Sequence, residues 1–304
     1  MARLTRLTRS GATYRMAFTP LELIVVLSVV GLLSALLLSA VQNVRSRAAR
    51  MGCENNLRQL SLAVHQFHET HQILPPGRPS QNDYGQPDAR IGGLSWLAHI
   101  TPYLEQEPLW KDALQAYRVD PMPWNDPPHR GVSTVVRTFV CPADGRLLTV
   151  DPALSPGAFT SYVGVEGGGG RNFDGMLSQR PVRLIDVTDG LSNTLMIAER
   201  PPDYKRRVGW WYCQLPGSMG DDHHLAAEPI ISGKLPPRCN GKPVFAPGRI
   251  EDVCDIQHFW SLHMSGAVFA FGDGSVRYIT YRNDTGLIRD LATRNGGEVI
   301  SELP

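Results

Sequence analysis

From Leu23 to Val41 the sequence reads LIVVLSVVGLLSALLLSAV, 19 residues without a charge. As a helix rising about 1.5 Å per residue, this run roughly covers a hydrocarbon core of about 30 Å. Glu22 places a carboxylate at its start, where an unpaired charge is costly. Arg3, Arg6, Arg9 and Arg15 precede the run with no acid among them. A secretory signal would have a shorter apolar core followed by a small-residue cleavage site, so the run reads as a membrane helix. Charge bias does not orient it, because Arg45, Arg47, Arg50 and Arg58 balance the four leader arginines.

Helical character continues past Val41. Cys53, Leu57, Leu60, Val64 and Phe67 recur at spacings of 4, 3, 4 and 3, forming one apolar stripe. Residues 18–71 therefore read as one helix of about 80 Å, half for lipid and half packed by one face against a soluble body, ended by Pro75 and Pro76. The basic leader, small Ala17, Phe18-Thr19 and Glu22 at the fifth position of the mature chain resemble the signal of type IV prepilins and type II secretion pseudopilins. That resemblance implies cleavage and N-methylation by prepilin peptidase between Ala17 and Phe18. It also implies that Glu22 assists assembly by meeting the amino terminus of a neighbouring subunit in the membrane. Ala17, where the family usually has Gly, and Pro20 depart from the pattern, although proline is tolerated in a first helical turn.

The remainder is rich in turns, with 24 prolines and 29 glycines in the chain. Residues 94–116 read as one or two short helices broken near Pro102 and Pro108. Strands are expected at 134–141, 159–167, 194–199 and 208–213, and a hairpin at 267–279 around Gly272-Asp273-Gly274. CENNLRQLSLAVHQFHET, LPPG, FVCPAD, SYVGVEG, DVTDGLSNTLMIAE, HMSGAVFAFGDGSVRYI and LATRNGGEVI jointly resemble the DUF1559 family of prepilin-like proteins, abundant in planctomycete bacteria. His263 to Asp273-Gly274 keeps the His-x9-Asp-Gly spacing of that family's C-terminal region. The expected fold is α+β and pilin-like: a long N-terminal helix packed on an antiparallel sheet head with loop-rich insertions. The expected division is a leader at 1–17, a transmembrane half-helix at 18–41, an amphipathic half at 42–72 and an extracytoplasmic head at 73–304.

Five cysteines without a CxxC spacing argue against a zinc ribbon or thioredoxin-type site and, outside the cytoplasm, suit two disulfides and one thiol. Cys53 on the packing stripe and Cys141 at the end of an expected strand point to a bond between them. The pairing among Cys213, Cys239 and Cys254 stays open. Asp186, Asp189 and Asn193 could offer oxygen ligands to calcium, with Asp174 a further candidate, but the full EF-hand order is missing and such residues make turns and caps. His263 and Asp273 could form an acid–base pair; the structural reading, a buried histidine and a turn with Gly274, is preferred. GDDHH at 220–224 and the pair His65 and His68 complete no recognised ligand set.

No nucleophile, phosphate-loop or dinucleotide motif is present, so neither enzyme activity nor a cofactor is expected. Removing residues 1–17 takes the formal net charge from +1 to −3, leaving no basic excess for nucleic acid. The function expected is that of a membrane-anchored pilin or pseudopilin subunit, single-pass in the inner membrane or in a surface filament. Its expected partners are prepilin peptidase, an assembly platform and other pilin-like subunits. A tethered glycan-binding module, using Trp210, Trp211 and Tyr212 for stacking, is the alternative.

Overall fold

In a computed structural model, the structure describes residues 20–77, 93–151, 157–169, 173–178, 180–205, 208–213, 224–226, 236–282 and 285–300. The chain divides into two compact units, Met1–Arg45 and Ser46–Pro304. In the first, the described residues are the opening turns of helix α1 (Pro20–His71), apolar and exposed, with Leu21 at 71% and Leu37 at 66%. Among the described residues α1 is the one helix long and apolar enough to cross a membrane.

The second unit has two apolar layers separated by a sheet. Its strands are β1 (Tyr162–Gly167), β2 (Leu195–Glu199), β3 (His224–Ala226), β4 (Gly266–Phe271) and β5 (Val276–Thr280), in the order β3-β1-β2-β4-β5. Among the described strands β3 runs parallel to its neighbour and the other pairings are antiparallel. Because side chains alternate along a strand, Val268 and Ala270 of β4 enter the core that holds Cys53, Leu57, Leu60 and Val64 of α1. Ala267, Phe269 and Phe271 enter the opposite core with Ile288, Leu291 and Ala292 of α4 (Thr285–Ala292). The remaining α-helices among the described residues are α2 (Trp96–His99) and α3 (Glu107–Val119), joined through a 3-10 turn, with Pro102 and Pro108 each in a first turn.

Two expected strands are not strands. Residues 134–141 contain a 3-10 turn, Arg137–Phe139, whose Phe139 carbonyl accepts from the Ser161 N–H at 2.9 Å and the Thr160 hydroxyl at 3.0 Å. Residues 208–213 make only isolated bridges, Phe159 to Trp210 and Leu94 to Cys213. In both segments, hydrogen bonds to non-adjacent loops replace a regular ladder. The hairpin at 267–279 forms as expected, with Gly274 at φ +83°, a conformation glycine adopts without the cost of a Cβ.

Candidate functional site

The main core holds a buried polar group drawn from five distant parts of the sequence. Cys53 on α1 and Cys141 are joined by a disulfide, with their Cα atoms 5.0 Å apart. The helix approaches closely there: a Cβ on Gly52 would lie 2.8 Å from Cγ of Pro142. Asn56, one residue short of a turn further along α1, donates to the Val140 carbonyl at 2.9 Å and to the Tyr162 hydroxyl at 3.2 Å. The Cys141 N–H donates to Ser161 Oγ at 3.0 Å.

His263 reaches this group from the loop before β4. Its N–H donates to Ser261 Oγ at 2.9 Å, and the same hydroxyl donates to the Gly266 carbonyl at 2.7 Å, which fixes the loop. His263 Nε2 then lies 3.7 Å from Cys141 Sγ and 3.4 Å from Oε1 of Glu199. Glu199 ends β2 opposite Tyr162 of β1, and its Oε2 accepts the Val268 N–H at 2.7 Å. Glu199 is 1% exposed and His263 6%. Among the described residues Oε1 makes no hydrogen bond. Burial, and next the charge of Glu199, push the Tyr162 phenol well above its usual pKa; burial likewise holds Tyr281 at about 12. With the disulfide closed the arrangement sets an imidazole against a carboxylate; with it open, two thiol sulfurs join them as ligands able to grip a cation.

The other sequence candidates are dispersed. Asp273 is not paired with His263: its Oδ1 accepts the Ser275 N–H at 2.8 Å within the hairpin turn. His65 of α1 lies against that turn, its Nε2 3.8 Å from where a Cβ on Gly274 would sit. Burial lowers the pKa of His65. His68 Nε2 accepts the Leu184 N–H at 3.3 Å. Asp186 pairs with Arg183 at 2.8 Å, which with their hydrogen bonds holds its carboxyl at about 2. Asp189 accepts the N–H groups of Gly296 and Gly297 at 2.7 and 3.0 Å, and Asn193 donates to the Asp189 carbonyl at 3.3 Å. Asp174 Oδ1 accepts the Gly168 N–H at 2.9 Å. These carboxylates serve as loop fasteners.

Trp210, Trp211 and Tyr212 are buried, so their rings stand in the core and not on a sugar-stacking surface. Glu22 lies in the first turn of α1. Ala17, Phe18 and residues 220–223 lie outside the described residues. A surface cleft of about 400 Å³, lined by Asp112, Gln115 and Arg130 among others, contains none of the sequence candidates. Glu199, Asn56 and Tyr162 were missed by sequence reasoning, since a glutamate closing the run LMIAE carries no local sign of burial.

One apolar helix fit to cross a membrane, followed by an α+β body with a closed polar centre, defines the class. The chain belongs to the family of proteins of unknown function DUF1559 (SBP_bac_10), whose model matches residues 42–286, well over half of it. No curated protein and no solved structure matches the chain.

Proposed function

We propose that the chain is a pilin-like structural subunit, held in the inner (cytoplasmic) membrane by residues 18–41 with its head outside the cytoplasm. Prepilin peptidase cuts between Ala17 and Phe18 and methylates Phe18. Glu22 then neutralises the amino terminus of an adjoining subunit in the membrane, and an assembly platform stacks the subunits into a secretion pseudopilus or surface filament. The role requires no catalysis and no cofactor.

The observation that carries this reading is the change of character along α1. Its opening turns expose Leu, Ile and Val on every face, whereas its later turns bury Cys53, Leu57, Leu60, Val64 and Phe67 on one stripe. One helix thus has a part suited to lipid or to other apolar helices and a part that belongs to the head's own core.

Mass spectrometry of membrane-extracted protein tests the reading. The expected terminus is Phe18 with one added methyl group, and Glu22→Ala is expected to be cleaved yet to assemble poorly. A terminus at Met1, or beyond Val41, overturns it.

A further inference from the structure

We propose that Cys53, Cys141, His263 and Glu199 form a zinc site when the disulfide is open, so that bridge and metal are alternative closures of one buried centre. The four ligand atoms lie within 4.8 Å of one another, and all four residues are buried. A tetrahedral zinc ion with ordinary bond lengths has N–S edges of about 3.6 Å and N–O edges of about 3.4 Å. His263 Nε2 already stands 3.7 Å from Cys141 Sγ and 3.4 Å from Glu199 Oε1. Two of the six edges of the tetrahedron are therefore built; the sulfurs need to part, to about 3.8 Å, and the remaining three edges, all within 4.8 Å, to settle at about 3.6 Å.

A structural disulfide needs neither an imidazole nor a carboxylate beside it. Here Glu199, 1% exposed, directs Oε1 at the centre without a hydrogen bond among the described residues, while Oε2 is held by the Val268 N–H. Burying a carboxylate is costly where Oε1 meets the His263 ring at 3.4 Å without forming a hydrogen bond, and a bound cation lowers that cost. The Val268 bond is the outer contact that orients a ligand carboxylate. Two thiolates and an imidazole select zinc over calcium or magnesium, and three anionic ligands call for a divalent ion. Four protein ligands in a closed site make it structural.

The bridge opens by exchange with a dithiol. The dithiol's sulfurs pair with each other, the Cys53–Cys141 bond breaks, and each cysteine leaves the exchange as a thiol. Zinc binding then displaces the two thiol protons to solvent, with neutral His263 supplying a lone pair and Glu199 its carboxylate. In an export route this lets the reduced chain fold around zinc before exchange with a disulfide of an oxidoreductase makes the bridge, leaves that disulfide reduced to a dithiol with two protons taken from solvent, and expels the ion.

The test uses the full chain in detergent, unfolded and reduced with a phosphine, then refolded without oxygen in the presence of zinc. The expected result is one zinc per chain and, with cobalt, the visible absorption of a tetrahedral thiolate complex, both lost on reoxidation. Cys239→Ser/Cys254→Ser keeps the metal, and Cys53→Ser/Cys141→Ser loses it. His263→Ala weakens binding by more than about 100-fold and the isosteric Glu199→Gln by about 10- to 100-fold. Reduced wild type that binds no zinc or fails to refold with it overturns the proposal. So does metal retained after loss of Cys53 and Cys141, or undiminished in both His263→Ala and Glu199→Gln.

Discussion

The Cys53–Cys141 and Cys239–Cys254 bridges are the same bond in opposite settings. The first joins residues 88 apart in sequence, inside a continuous apolar core, with His263 and Glu199 enclosed beside it. The second joins residues 15 apart, over a small cluster of Val208, Val253 and Ile256. Charges surround it: Lys242 reaches Asp255 at 2.7 Å and Asp252 at 3.2 Å, and Arg238 reaches Asp252 at 3.0 Å. A large core can enclose polar groups and seal them from water. A small one instead leans on a short covalent loop and a ring of partly hydrated ion pairs.

Cutting the bridges tests this contrast most strongly. The chain-entropy relation gives about 4 to 5 kcal/mol for a loop as long as the first and about 3 kcal/mol for the second. Cys53→Ser/Cys141→Ser should therefore lower the denaturant midpoint of the whole unit. Cys239→Ser/Cys254→Ser should cost less and raise hydrogen exchange chiefly at the amides of Cys254 and Asp255. Equal losses, or exchange spreading to β4 in the second variant, would break the comparison.

Single substitutions sharpen it. Glu199→Ala strips the Val268 N–H of its charged acceptor and should cost about 2 to 3 kcal/mol. Asp273→Ala loses one exposed turn bond to Ser275 and should cost about 1 kcal/mol or less by thermal unfolding. His263→Ala should fall between them.

Acid should loosen the charged region. Burial, opposed by the charge of Asp255, lowers His258 to about 4 against 6.5 in an open chain. The unfolded chain therefore takes up the proton first, and this contribution is complete above pH 6.5 and lost as pH falls toward 4. The N–H of Cys254, with Lys242 and Arg238, holds Asp252 at about 2, so its contribution is complete above about pH 4 and lost on approach to pH 2. Amide exchange around residues 249–257 should rise in those two windows, and a profile flat from pH 7 to pH 3 would contradict the assignment.

Periodicity made part of this molecule legible. The stripe from Cys53 to Phe67 follows from local spacing because one face of the helix is buried, and the strands flanking Gly272-Asp273-Gly274 follow from the turn residues set between two β-prone runs. Residues 134–141 and 208–213 misled because β-branched and aromatic residues also fill a core from irregular backbone. β3 has three residues inside a polar stretch and exists by pairing with β1, which no local pattern announces. The burial of Glu199 is likewise non-local: β2 lies between β1 and β4, so the end of LMIAE is covered by strands 37 and 69 residues away. His263 was visible as a residue, but its neighbour was not.

Arg50 stacks on the ring of Tyr278 at 4.6 Å, and His65 lies beside the turn at Gly274, so α1 is completed by a hairpin more than 200 residues later. During synthesis the ribosome delivers the helix long before its last partner strands. Leu94, Trp96, Phe139 and Tyr162 of the same core emerge earlier, but the packing of the stripe stays incomplete until β4 and β5 emerge. A growing chain in that condition needs a chaperone or a membrane surface for most of its translation, and truncations ending before Gly266 should be cleared by proteases while those ending after Ala292 persist.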